Sequence, residues 1–373
     1  MDIAQTAINL TRDLVKIPSE SSNPTATEAM HPETKVNEFL TSFCFTRGVD
    51  FELQEVAAGR NNFIAHFPKK NAPKLLIMAH SDTVSAPNMV KGFSGEIKEE
   101  KIWGRGACDD KGPLAAALCT LTGLHQQNIK IAYDVTFAAT VDEECTMAGS
   151  AALAAKYKTW DLCIGLEPTE LKLITAHKGV HRCKISTKGL ACHSSSPEHG
   201  RNAILEMHAL INDLQVLEFR LKRQKSTELG RASMAITQIQ GGSSINIIPD
   251  HCEISIDTRL LPSQDPELYT KQLEQLIGMR GKVEPLFIAR GMQTNIEQKY
   301  IKRLQHAVSQ CGYSSDPESV SYATDCSQLV TRGPCIVWGP GSIAQAHQQD
   351  EYIEIAQIKD ACRILEMFLT GGA

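Results

Sequence analysis

The chain has 373 residues, 42% of them apolar, with 38 Lys and Arg against 43 Asp and Glu for a formal net charge of −5. It exceeds the roughly 250–300 residues at which one hydrophobic core stops growing, so about two domains are expected. Charges of mixed sign with no basic block give no footprint for nucleic acid or for an anionic membrane surface, which leaves a small substrate as the expected partner.

No apolar run approaches the roughly 18–20 residues of a membrane span, and no basic stretch followed by an apolar core marks a secretory signal near the start. Twelve cysteines form no Cys-x-x-Cys pair, and most sit among apolar neighbours, as Cys119 and Cys163 do. They read as buried free thiols, not as metal ligands or a disulfide framework, and the expected compartment is the cytosol.

In chain order, apolar residues at Ile3, Ala7, Leu10, Leu14 and Val15 predict a helix ending at Ile17-Pro18. Residues 19–33 read as a polar loop, and residues 35–47 as a second helix. Residues 62–67 and 74–79 are apolar runs suited to strands covered on both faces, the second closing at His80. A helix with Pro113 early and Gly123 late spans 112–124; strand 133–141, helix 150–157 and strand 162–166 follow. Strands alternating with helices imply an α/β layer structure with a mostly parallel sheet, its polar groups gathered past the strand ends.

From about residue 178 the pattern changes. Residues 181–189 and 252–259 alternate apolar with polar, as strands with one wet face do, and a long helix is expected over 202–223 between them. A strand-helix-strand-strand-helix-strand order through Phe287 predicts a small α+β domain, 178–287, inserted into a discontinuous larger one, 1–177 and 288–373. The larger domain resumes with helix 298–310, strand 334–338 and helix 355–369.

Acidic and histidine clusters fall where these strands end. In His80-Ser81-Asp82, residues two apart on extended chain point the same way, so Asp82 can support His80 as a metal ligand. Asp109-Asp110 lies between glycines in Gly104–Gly112 at a helix entry, where two carboxylates need a cation or the helix amino terminus. Asp142-Glu143-Glu144 could divide its work, one carboxylate binding metal and its neighbour acting as general base. Glu167 follows the strand 162–166, and His347 stands alone much later. Taken singly, each has a plainer reading: a polar strand exit, a helix cap, a solvated turn, a structural histidine.

Taken in order, the set resembles the co-catalytic zinc aminoacylase and carboxypeptidase family. His80-x-Asp82, Gly104-Arg105-Gly106-x-x-Asp109-Asp110-Lys111-Gly112, Asp142-Glu143-Glu144 and Glu167-Pro168-Thr169 carry the resemblance, which extends from Ile17-Pro18-Ser19 to His347 and beyond. It implies a three-layer α/β/α zinc-peptidase-like catalytic domain and a ferredoxin-like inserted domain that dimerises. It implies two Zn2+ ions, replaceable by Co2+ or Mn2+, one held by His80 and Glu167, the other by Glu144 and His347, with Asp109 bridging and its peptide bond to Asp110 cis. Glu143 would be the base in amide hydrolysis by water held between the metals, and Asp82 the partner of His80. His193, reaching in from the other subunit of a homodimer, would stabilise the tetrahedral intermediate. Arg259 and Asn246 match family residues that grip a substrate carboxylate, with Lys178 and Thr324 as further candidates.

Within that family, Gly339-Pro340-Gly341-Ser342-Ile343 and Gln345-Ala346-His347 look most like acetylornithine deacetylases, which would make N2-acetyl-L-ornithine the substrate. Succinyl-diaminopimelate desuccinylase, or another N-acyl-amino-acid deacylase or dipeptidase, is the alternative, since Tyr322-Ala323-Thr324-Asp325-Cys326 resembles other branches equally. A non-catalytic homologue predicts damage to the ligand set, and none is present.

Overall fold

The computed structural model describes residues 2–21 and 31–371, so most of the expected polar loop lies outside the described residues. The chain divides into two compact units. One takes the chain up to Thr175, Thr294–Glu318 and the chain from Thr324; the other is Ala176–Gln293 with Ser319–Ala323. The limits expected from sequence stand at 177/178 and 287/288, and the membership of 319–323 in the second unit carries no sequence signal.

In the first unit the strands run across the sheet in the order Asp50–Ala57, Arg60–Phe67, Asp134–Thr140, Lys74–His80, Leu162–Gly165, Cys335–Val337 and Leu173–His177. The middle four are parallel and the flanking pairs antiparallel. Leu75, Leu76, Ile77 and Met78 are fully buried, as a central strand with helices on both faces requires. Each such side chain contributes roughly 1.5–3 kcal/mol by leaving water. His80 lies opposite Thr140 and Met78 opposite Gly165, so three parallel strands end at nearly one level.

Helix Gly112–Gln126 is buried from Gly112 to Leu124, and its small residues let neighbours approach closely. Helix Ile3–Val15 crosses it so tightly that a Cβ on Gly123 would come within 2.5 Å of Ile3 Cγ1. Helix Ile355–Thr370 packs against both. A small separate sheet of Glu96–Lys98, Lys101–Trp103 and Tyr352–Glu354 joins two distant parts of the chain.

The second unit has four antiparallel strands in the order Ser233–Gly241, His251–Leu260, Gly179–Lys188 and Gly281–Ala289. With helices Ala203–Leu221 and Pro266–Ile277 the chain order is strand-helix-strand-strand-helix-strand, the expected ferredoxin-like arrangement. Cys252, Ile254, Ile256, Thr258 and Leu260 alternate inward, which is the pattern read in the sequence. Asn202 and Asp265 cap the two helices, each accepting two backbone N–H bonds.

Candidate metal centre

Four chain segments meet past the level ends of the parallel strands. His80 closes its strand, Asp142–Glu144 follow Thr140, Glu167 follows Gly165, and Asp109 lies just before helix Gly112–Gln126. The Asp109–Asp110 peptide is cis.

Asp109 is the hub. Its Oδ1 accepts from His80 Nε2 at 2.8 Å, and its Oδ2 lies 3.4 Å from His347 Nε2, which is also 3.3 Å from Glu144 Oε1. Ligand atoms of His80, Asp109 and Glu144 all lie within 4.8 Å of one another. The His80 ring is fixed from behind: its Nδ1 donates to the backbone carbonyl of Asp82 at 3.0 Å, which turns Nε2 toward the site. The Asp82 carboxylate, 3.6 Å from Nδ1, is beyond hydrogen-bond reach. It accepts instead from the backbone N–H groups of Glu143 and Glu144, both at 3.2 Å, and from the Ser21 hydroxyl. Asp82 therefore sets the backbone that presents both glutamates.

Supporting contacts that the sequence does not assign complete the frame. Arg60 donates to Asp142 at 2.7 Å and pairs with buried Glu33. Asp325, 5% exposed, accepts from the Thr140 and Ser150 hydroxyls at 2.6 and 2.5 Å, and burial pushes its carboxyl up to about 6. Thr324 beside it is buried, its hydroxyl accepting from Cys326 N–H. These partners are remote in sequence, and nothing local to Glu33, Arg60 or Asp325 marks the pairing.

The remaining candidates lie in the second unit. His193 is exposed and bonds to Ser195; its strand pairs with Ile247–Ile248, next to Asn246, whose carbonyl accepts from Ser194 N–H. Arg259 is engaged by Asp257 through two contacts of 2.8 and 3.3 Å. Lys178 donates to the Arg231 carbonyl, and burial together with the charge of Arg259 lowers its pKa. His193 with Asn246, and Lys178 with Arg259, thus form two neighbouring pairs within that unit.

Residues 76–371 match Peptidase family M20/M25/M40. The chain belongs to this family. Among relatives, a Peptidase M20 domain-containing protein of Schizosaccharomyces pombe is 30% identical, over 94% of this chain and 81% of its own. An acetylornithine deacetylase of Proteus mirabilis is 31% identical, over 95% and 93%. The fold is shared with Bacillus subtilis YXEP protein, described as a dinuclear metal binding peptidase from the M20 family, with a TM-score of 0.71, 16% identity and coverage of 99% and 98%. The protein is a metal-dependent amidohydrolase of the M20 family.

The electrostatics of this M20 site fit the metals its family implies. Burial pushes Glu143, Glu167 and Asp110 well above the usual carboxylate range, and neighbouring carboxylates push further: Glu167 on Glu143, Asp109 on the other two. For Asp109, burial is outweighed by the bonds to His347 and His80, so its carboxyl is held low. Those bonds raise His347 to about 10; in His80 they outweigh burial and raise it well above its ordinary value. Imidazole and carboxylate donors without cysteine are the ligands of a catalytic divalent site, and such ions would relieve the same repulsion. All twelve cysteines are free, nine of them buried.

Proposed function

We propose that this protein hydrolyses the amide of an N-acyl amino acid, N2-acetyl-L-ornithine foremost, giving L-ornithine and acetate. The observation that carries this reading is the placement of Asp109, with one carboxylate oxygen toward His80 and the other toward His347 and Glu144. Two zinc ions would be held there, one by His80 and Glu167, the other by Glu144 and His347, with Asp109 shared. The named relative from Proteus mirabilis supports the choice of substrate.

Bound divalent ions supply a lowered pKa for water and polarisation of the amide carbonyl. Glu143 takes the proton of the attacking water as the C–O bond forms, and returns it to the nitrogen as the C–N bond breaks. Asp82 fixes the peptide of Glu143, and so the aim of its carboxylate. His193 of the partner subunit would stabilise the oxyanion, a contribution of about 100- to 1,000-fold for such a donor. The assembly would be a homodimer through the second unit, and the compartment the cytosol. Free cysteines support that compartment, and no helix among the described residues is long and apolar enough to cross a membrane.

The test is a hydrolysis panel with zinc-loaded protein on N2-acetylornithine, acetylcitrulline, acetylmethionine, acetyllysine and succinyl-diaminopimelate. The highest kcat/KM is expected for N2-acetylornithine, with acetate and ornithine released one to one. Preference for succinyl-diaminopimelate would overturn the substrate, and cleavage of none would overturn the reaction.

A further inference from the structure

Glu351 is fully buried, far in sequence from the acidic motifs, and has no part in the chemistry above. Its Oε1 accepts from the backbone N–H of Cys108 at 2.9 Å and of Asp109 at 3.1 Å, and its Oε2 accepts from Arg105 Nη1 at 2.6 Å. Its carbonyl accepts from Gly104 N–H at 3.0 Å. One residue thus holds the whole 104–109 segment.

The same residue anchors a second loop. His347 lies four positions before Glu351, in the segment that begins at Ser342, whose carbonyl is contacted by Cys108 Sγ at 3.4 Å. Directly after Glu351 the chain is locked by pairing, Tyr352 with Trp103 and Ile353 with Ile102. Asp109 N–H sits at the irregular entry to a helix, where backbone donors lack partners inside the helix. A buried carboxylate bonded to two such donors and a guanidinium makes charge-assisted bonds, the stronger class.

We propose that Glu351 is a positioning residue for metal binding: it couples the loop of Asp109 to the loop of His347, so that both side chains hold their mutual placement before an ion arrives. This rests on the reading of Asp109 and His347 as ligands. Outer partners that orient ligands are typically worth about 10- to 100-fold in metal affinity.

Zinc titrated calorimetrically into metal-free protein tests it, with Glu351→Ala, Glu351→Gln and Asp109→Ala beside the parent. Glu351→Ala is expected to weaken zinc about 10- to 100-fold. Glu351→Gln keeps an oxygen for the two N–H groups but sets an amide against Arg105, so a smaller, several-fold loss is expected. It also serves as the folded variant where alanine is not tolerated. A merely structural role would lower the denaturation midpoint of the metal-free variants and leave their zinc affinity at the parent value; that result overturns the proposal. Parent-like zinc affinity in Asp109→Ala overturns the reading of the site itself, and the proposal with it.

Discussion

Asp142 turns away from the two glutamates that follow it. Its Oδ1 takes Arg60, its Oδ2 the Thr146 hydroxyl, and its backbone carbonyl closes a turn by accepting from Cys145, Thr146 and Met147. Asp142 and Glu144 find partners in different directions, Arg60 and Thr146 for the one and His347 for the other, and a left-handed backbone at Asp142, φ 68°, makes the turn. Histidines show the same dependence on surroundings. Carboxylates raise His80, whereas burial lowers His181 in the second unit to about 4. The His181 Nε2 bonds to Thr270 at 2.8 Å, its ring meets Tyr269 edge-on, and its Nδ1 is buried without a hydrogen-bond partner among the described residues. A second proton would sit on that unpartnered nitrogen. Below the ordinary value near 6.5 the unfolded chain binds this proton and the folded one does not. Stability contributed by neutral His181 is therefore complete above that pH and lost as pH falls toward 4, by about 3 kcal/mol at most. His181→Phe, which keeps an aromatic ring against Tyr269 and cannot protonate, is expected to flatten this slope in denaturation curves between pH 6.5 and 4; an unchanged slope would show that His181 does not titrate on unfolding.

At the scale of elements, the sequence declares whatever is repeated or buried on both sides. The apolar run at 74–80, the alanine-rich helix 112–126 and the alternation at 251–260 each lie within two residues of their expected places, because burial acts on many consecutive side chains. Asp50–Ala57 escapes notice: it is a margin strand whose faces are largely wet, so its apolar residues show no dominant pattern. The small sheet holding Tyr352–Glu354 is missed for another reason, since its three-residue strands are joined by long-range pairing and have no periodicity to read. The site divides in the same way. The side chains that the structure gathers around Asp109 fall mostly in short motifs, which family likeness picks out. Glu351, Asp325 and Arg60, which hold backbones and hydroxyls in place, act through pairings 80 to 250 residues away, and isolated polar residues do not announce such partners.

At the scale of the whole molecule, the formal charge of −5 has a local origin in part: Asp82, Asp109, Glu143, Glu144 and Glu167 sit around one centre. Two divalent ions would bring the formal charge to about −1. The proposed dimer would use an exposed strand edge of the second unit. Strand Ser233–Gly241 forms one margin of its sheet, with Ile236 and Ile239 exposed at 38% and 59%. A long margin strand with apolar side chains and unpaired backbone groups invites pairing, and a two-fold axis lets a second copy offer the same edge. Ile239→Lys is expected to shift the protein toward monomer in sedimentation velocity, and an undiminished dimer would place the interface elsewhere. The different duties proposed for two adjacent glutamates are tested most directly by zinc content and turnover in Glu143→Ala and Glu144→Ala. Glu143→Ala is expected to retain two zinc ions with turnover reduced at least 100-fold, the low end for loss of a general base, and Glu144→Ala to lose one zinc; a Glu143→Ala enzyme working near the parent rate would contradict the account.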